Sequence, residues 1–284
     1  MIRPLLLAAT AATLTTAACS ESPSTERPDA KPLACSEPTV ITRYRVDATT
    51  LPVNSETARA TAFDVVNSDG QIDNQLGMAF GTVVSAFTPD FRPDAAAAAT
   101  FAGPVDWEIV TETCPDTDET RVRVGSVGGS TPRAGGSLGG DQLAATHGCA
   151  EVPLGAITGG PEAGWILADQ LALDVDFAVG HHELTGTLGF ALDQPDAAVA
   201  IANAMAPFLT TEETQPALRM TILDLFDKDH DGVVTPAEVQ AADIYRALTA
   251  PDSGFGPRPE GGPQCPPGND QWLSFGLAVH AVEE

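Results

Sequence analysis

The stretch DKDHDGVVTPAE, residues 227–238, places side-chain oxygens at regular intervals over twelve residues. Asp227, Asp229 and Asp231 stand at its first, third and fifth positions, and Glu238 closes it at the twelfth. Gly232 stands at the sixth position, where a sharp turn needs a positive φ. A large, hard divalent cation takes six to eight oxygen ligands at about 2.3–2.6 Å, and this spacing supplies them. The stretch therefore predicts a cation site.

The remaining positions and the flanking residues agree with that prediction. Val233 offers a backbone carbonyl at the seventh position, and Thr235 at the ninth ligates directly or through water. Apolar residues at helical spacing precede and follow the stretch. The segment over roughly residues 214–249 resembles the EF-hand family, with no departure at the ligand positions. The resemblance implies Ca²⁺ binding by Asp227, Asp229, Asp231, the Val233 carbonyl, Thr235 and Glu238.

EF-hands usually occur in pairs, and VVNSDGQIDNQL, residues 65–76, is a degenerate candidate for the partner. It is similar to the short Asp-rich calcium loops of dockerin-like and thrombospondin-type repeats. A second metal would be held by Asn67, Asp69, Gln71 and Asp73, and Ile72 would pair with Val234. The alternative is a capped turn, with Asp73 or Asn74 opening a helix.

Two other polar motifs indicate a function less strongly. GGSLG, residues 135–139, satisfies the GxSxG pattern of serine hydrolases. However, Ser137, which would be the nucleophile, lies in a Gly-rich stretch that favours a flexible loop, whereas the chemistry needs a strand entering and a helix leaving. The run HHE, residues 181–183, reads better as a hairpin turn than as a metal site, because adjacent side chains on a strand point to opposite faces. We predict no catalytic residue.

Charge limits the partners of the chain. Its 284 residues carry 39 Asp and Glu against 14 Lys and Arg, a formal net charge of −25. Such a field repels nucleic-acid phosphates, so we expect no nucleic-acid partner. The hydrophobic fraction of 43% is enough for a buried core.

The N-terminus predicts export. Residues 1–18 have a basic residue, an apolar run and small residues, as in a signal peptide. TAAC, ending at Cys19, resembles the bacterial lipobox, which implies a lipid anchor at Cys19 and a flexible tether over residues 19–38. Removing Cys19 leaves an even set of disulfide candidates with three alternative pairings: Cys35, Cys114, Cys149 and Cys265.

Periodicity predicts an α+β fold. Residues 39–192 are read as a mixed N-terminal part with a β-rich, sandwich-like centre. Residues 193–250 are read as a helical EF-hand segment inserted in that body. Residues 251–284 are read as a Pro/Gly loop followed by a returning C-terminal strand.

These features together resemble bacterial EF-hand lipoproteins. We expect a non-enzymatic, calcium-binding protein of the cell envelope, anchored at the outer membrane or the periplasmic face, with secretion as the alternative. Ca²⁺ would stabilise the fold or regulate a contact surface. One alternative is a Ca²⁺-stabilised sandwich that binds a glycan or an envelope protein through exposed tryptophans, with Trp107, Trp165 and Trp272 as candidates. A less favoured alternative is a secreted hydrolase using Ser137.

Overall fold

A closed barrel of eight strands forms the body of the protein. The computed structural model describes residues 32–50, 52, 55–63, 74–78, 106–131, 133–153, 165–178, 180–210, 216–249 and 272–284. Within them, the strands follow one another around the barrel in chain order. They are β1 (Val40–Thr50), β2 (Trp107–Thr113), β3 (Glu119–Ser126), β4 (Ala134–Gly139), β5 (Gln142–Val152), β6 (Ile166–Phe177), β7 (Glu183–Asp193) and β8 (Trp272–Glu283).

The pairing of the first strand with the last closes the sheet. β1 runs antiparallel to β8, with Tyr44 opposite Glu283 and Thr50 opposite Ala278. β8 in turn pairs with β7 along eleven residues, from Glu183 opposite Val282 to Asp193 opposite Trp272. Closure satisfies the backbone N–H and C=O groups that would otherwise line two free edges.

The predicted sandwich-like body with a helical insertion is therefore wrong, because the sheet is closed. Alternating apolar and polar residues are required equally by a strand in a sandwich and by a strand in a small barrel. The difference lies in a contact between strands more than two hundred residues apart, which no local pattern encodes.

The Gly-rich stretch that the sequence predicts to be a flexible loop contains a strand. Residues 134–139 form β4, which pairs with β5 over residues 142–152. Small residues are needed between them: a Cβ at Gly136 would lie 2.5 Å from the Ala144 carbonyl oxygen. Gly and Ala have low β-propensity, so local patterns do not predict strands here. The small residues are nevertheless required by the close packing of β4 against β5.

Large apolar side chains fill the barrel interior. Trp107, Ile109, Leu173, Leu188 and Phe190 are among the fully buried ones, contributed by three different strands. Phe190 packs edge-on against Phe275, with ring centroids 5.3 Å apart. An eight-stranded barrel is just wide enough for such filling, so the body has a solid core.

Two disulfides involve the described cysteines. Cys35 is bonded to Cys114, with Cα atoms 5.4 Å apart, which ties the segment before β1 to the β2–β3 connection. Cys149 is buried on β5 and is disulfide-bonded as well. Cys265 lies outside the described residues.

A charged cluster covers the outer face of β1, β2 and β3. The buried Glu108 carboxylate accepts hydrogen bonds from Arg43, Arg123 and the Gly128 N–H. Burial opposes ionisation of this carboxyl, but the Gly128 hydrogen bond and the two guanidinium groups outweigh it, so the pKa of Glu108 lies below its usual range. The cluster joins neighbouring strands, and we regard it as structural.

The described helices lie in two places. α1 (Ser55–Ala60) follows β1, and a helical turn at residues 75–78 also lies between β1 and β2. Between β7 and β8 come α2 (Gln194–Thr210), α3 (Pro216–Phe226), α4 (Pro236–Ala241) and α5 (Asp243–Leu248). They enclose a second apolar cluster, which includes Met205, Phe226, Val239 and Tyr245. Among the described residues, no helix has both the length and the apolar character required to cross a membrane.

Candidate metal centre

The stretch 227–238 forms a tight loop between α3 and α4. α3 ends at Phe226, and α4 begins at Pro236, whose fixed φ suits the first turn of a helix. Thr235 is the N-cap: its hydroxyl accepts a hydrogen bond from the Glu238 N–H, and the Glu238 carboxylate accepts one from the Thr235 N–H. This capping box sets the end of the loop, and its T-x-x-E signature was overlooked in the sequence.

Three of the predicted ligands converge. One carboxylate oxygen from each of Asp227, Asp229 and Asp231 lies within 4.8 Å of the other two. Asp229 and Asp231 are exposed, whereas only 4% of Asp227 is accessible to solvent. Three oxygens at this spacing can hold a metal ion, and by themselves they do not select Ca²⁺.

Backbone hydrogen bonds hold these carboxylates in place. Asp227 accepts from the N–H of Asp231 at 3.2 Å and from that of Gly232 at 2.9 Å. Asp231 accepts from the N–H of Val233 at 2.8 Å. The turn is possible because Gly232 has a φ of 87°, and His230, which is exposed, also has a positive φ of 61°.

Glu238 does not join the three aspartates. One of its carboxylate oxygens accepts from the Lys228 N–H at 2.8 Å, and the other accepts from the N–H and hydroxyl of Thr235. These hydrogen bonds, led by the one from the Thr235 backbone, hold the pKa of Glu238 below its usual range despite the opposing effect of desolvation. Glu238 thus links the two ends of the loop, and Thr235 is engaged with it.

The loop is anchored by its eighth residue. Val234 is 7% exposed and packs in the apolar cluster of the helices, whereas Val233 is 55% exposed. The loop geometry is consequently coupled to the packing of α2, α3 and α4. The predicted partner of Val234, Ile72, lies outside the described residues.

The degenerate second loop is described only at its end. Asn67, Asp69, Gln71 and Asp73 lie outside the described residues. Asn74 accepts a hydrogen bond from the Gly77 N–H at 3.0 Å and precedes a helical turn at residues 75–78, as the capped-turn alternative predicts. The Asn74 side-chain amide also donates to the Gly276 carbonyl at 3.1 Å, so Asn74 has a structural role.

The GxSxG motif does not form a nucleophile elbow. Ser137 is exposed on β4, with Ala144 of β5 and Glu119 of β3 opposite. A strand continues on both sides of it, whereas the elbow needs a sharp turn into a helix.

The run HHE occupies the β6–β7 turn, where the sequence predicted a hairpin. Gly180 and His181 have positive φ values of 92° and 60°. The two imidazoles have different partners: His181 contacts Asp141 at 3.0 Å, and His182 contacts Glu283. They do not converge on a common point.

Of the described tryptophan side chains, Trp107 is excluded from sugar stacking by its burial, whereas Trp165 is partly exposed. Trp107 is fully buried and donates through Nε1 to the Glu151 carbonyl at 2.9 Å. Trp165 is 38% exposed at the start of β6. The side chain of Trp272 and the lipidation candidate Cys19 lie outside the described part.

Comparison of the chain with protein-family models, with curated proteins and with solved structures gave no match.

Proposed function

We propose that the protein is a non-enzymatic, calcium-binding protein of the cell envelope and that Ca²⁺ binds in the loop 227–238. The observation that carries the proposal is the convergence of three aspartate oxygens within 4.8 Å in a helix–loop–helix whose turn is made by Gly232. All-oxygen donors suit a hard cation. Asp227, Asp229 and Asp231 would hold it, with the Val233 carbonyl, Thr235 and Glu238 as further ligands.

The role proposed for Ca²⁺ is to stabilise the helices between β7 and β8. Val234 connects the loop to their apolar cluster, so a cation that fixes the loop also restrains the helices. A ligand that binds the folded state alone stabilises it in proportion to the logarithm of its concentration over Kd.

Calorimetric titration of the full chain with Ca²⁺ tests the site. We expect one binding event, weakened roughly tenfold or more by Asp229→Asn, because the number of charged ligands sets the affinity of such loops. Asp224→Asn is the matched control, since Asp224 is exposed on α3 and outside the loop. Absence of binding, or equal affinity in Asp229→Asn, would contradict the proposal.

Two further titrations refine it. Mg²⁺ requires near-octahedral geometry and dehydrates reluctantly, so we expect much weaker binding of Mg²⁺ than of Ca²⁺. Equal affinity would leave a divalent-cation site without calcium selectivity. Titration of Glu238→Gln then distinguishes a ligand role of Glu238 from a role in the capping box. If Glu238 is a ligand, we expect a large loss of Ca²⁺ affinity, and if it acts only through the capping box, we expect a small loss.

The envelope location rests on the sequence of residues 1–38 alone. If Cys19 carries a lipid, the protein should partition with membranes, and Cys19→Ser should release it to the soluble fraction. Identical fractionation of the two forms would remove the lipid anchor from the proposal.

A further inference from the structure

A cup opens at one end of the barrel, here called the mouth. The mouth is the end that carries the β2–β3, β4–β5 and β6–β7 turns and the last residues of β8, and the helices join the barrel at the other end. The cup has a volume of about 280 Å³, and its described lining comes from β1, β2, β4, β5, β6 and β8 and from the β2–β3 and β6–β7 turns. Eight-stranded barrels either fill their interior or hold one small ligand, and here the filling stops short of the mouth.

The floor of the cup is apolar and rigid. Tyr44 and Phe177 lie side by side with ring centroids 5.6 Å apart, and Leu143 is fully buried beside the same cup. The His181 ring stacks on Phe177 at 4.8 Å, and the Tyr44 hydroxyl donates to the His181 carbonyl at 3.1 Å. The turn that forms one wall is therefore fixed to the floor by a ring contact and a hydrogen bond.

The wall opposite that turn is also held in place. Thr113 and Pro115 line the cup on either side of Cys114, which is bonded to Cys35. At the rim, Val40 is 53% exposed although it belongs to the lining. A preformed concave site with exposed apolar surface favours a ligand with an apolar body.

The charge of the cup is negative. Glu283 lines it, and its described lining contains the imidazoles of His181 and His182 but no lysine or arginine. Burial first, and then the negative charge of Glu283, raise the pKa of Tyr44, so the field of Glu283 reaches the floor. The formal net charge of −25 adds a long-range field of the same sign. An anionic ligand is disfavoured on both counts, and a cationic group at the rim is favoured.

We propose that the cup binds a small cationic amphiphile, with an aromatic or branched apolar body between Tyr44, Phe177 and Leu143 and a protonated amine beside Glu283. A dry cavity of about 150 Å³ holds a benzene molecule, so about 280 Å³ accommodates one ring with a short chain. The amine replaces or joins His182 as the partner of the Glu283 carboxylate. The site is separate from the loop 227–238 and does not depend on a bound cation there.

Three probes with one skeleton test the charge preference: phenylpropylamine, phenylpropanol and phenylpropionate. Each is titrated at pH 8 into the full chain in EDTA, and binding is followed by the amide NMR signals of residues 40–44 and 180–183. We expect the amine to bind about fivefold tighter than the carboxylate, the difference that one partly exposed charge pair produces. The alcohol should fall between them. Equal or tighter binding of the carboxylate, or binding of none of the three, would overturn the proposal.

Substitutions then locate the bound probe. Glu283→Gln should remove the preference for the amine, because it keeps the shape of the side chain and loses its charge. Glu183→Gln is the matched control: it makes the same charge change at the same end of the barrel, outside the lining. Thr42→Phe should fill the cup and abolish binding of all three probes, with circular dichroism as the check on folding. An unchanged preference in Glu283→Gln, or unchanged binding in a folded Thr42→Phe, would place the probe elsewhere and overturn the proposal.

Discussion

The loop 227–238 and the cup at the mouth are both candidate ligand sites, but they are built in opposite ways. The loop takes its oxygens from twelve consecutive residues, and local backbone hydrogen bonds set their positions. The cup takes its lining from six strands and two turns, spread between residues 40 and 283. The first arrangement is visible in the sequence, whereas the second exists only once the barrel has closed.

Their supports differ as well. The loop is coupled to the helical apolar cluster through Val234, and the helices join the barrel at the end away from the mouth. The mouth is supported by the Cys35–Cys114 bond and by the contacts of the β6–β7 turn. A defect in one support should therefore leave the other site intact, and this independence can be tested.

The largest effect is expected from removing the Cys35–Cys114 bond with paired Cys→Ser substitutions. The bond closes a segment of 79 residues, and loss of such a cross-link costs about 2–4 kcal/mol, largely because the unfolded chain gains freedom. Urea unfolding of the full chain measures this. We also expect weaker binding of phenylpropylamine with unchanged Ca²⁺ affinity. Equal losses at both sites would show that the two regions are not independent.

A smaller loss of stability is expected from Gly276→Ala on β8. A Cβ there would overlap the Thr61 carbonyl oxygen, which packs on the outer face of the barrel together with Asn74. Overpacking of this kind costs about 1–3 kcal/mol. Gly135→Ala on β4 is the control, because a Cβ at Gly135 meets no atom within 4 Å. If the two variants unfold at the same urea concentration, the close approach at Gly276 does not limit stability.

The smallest effect is expected from Gly232→Ala in the loop. A Cβ at this position meets no atom within 4 Å, so the cost comes from the positive φ alone, about 1–2 kcal/mol. We expect weaker Ca²⁺ binding in calorimetry and no change in phenylpropylamine binding. An unaltered Ca²⁺ affinity would mean that the φ of 87° at Gly232 is not required for ligation.

Several features of the site could be predicted because they are local. Asp227, Asp229 and Asp231 converge since a short loop has few ways to arrange alternate residues, and Gly232 takes the positive φ that its position requires. The position of the Glu238 carboxylate could be predicted only in part, because this group can either ligate a cation or accept hydrogen bonds from the loop backbone. The capping box and the Lys228 N–H hold it in the described structure.

The fold was harder to predict, and the reason lies in particular strands. β1, β6 and β7 have clear apolar alternation, which is typical of strands, whereas the sequence AGGSLG of β4 favours a loop. Its small residues are selected by the nearness of β5, a tertiary property. The sandwich was expected because alternation specifies which face of a strand is buried, without specifying which strands are neighbours.

The sequence by itself therefore determined the strong strands, the helices around the loop and the spacing of its carboxylates, since each depends on residues a few positions apart. Tertiary structure alone decided the closure of β1 on β8, the choice of cysteine partners and the cup beside Glu283. These depend on contacts between residues distant in the chain, whose free energy arises only when the whole sheet is assembled.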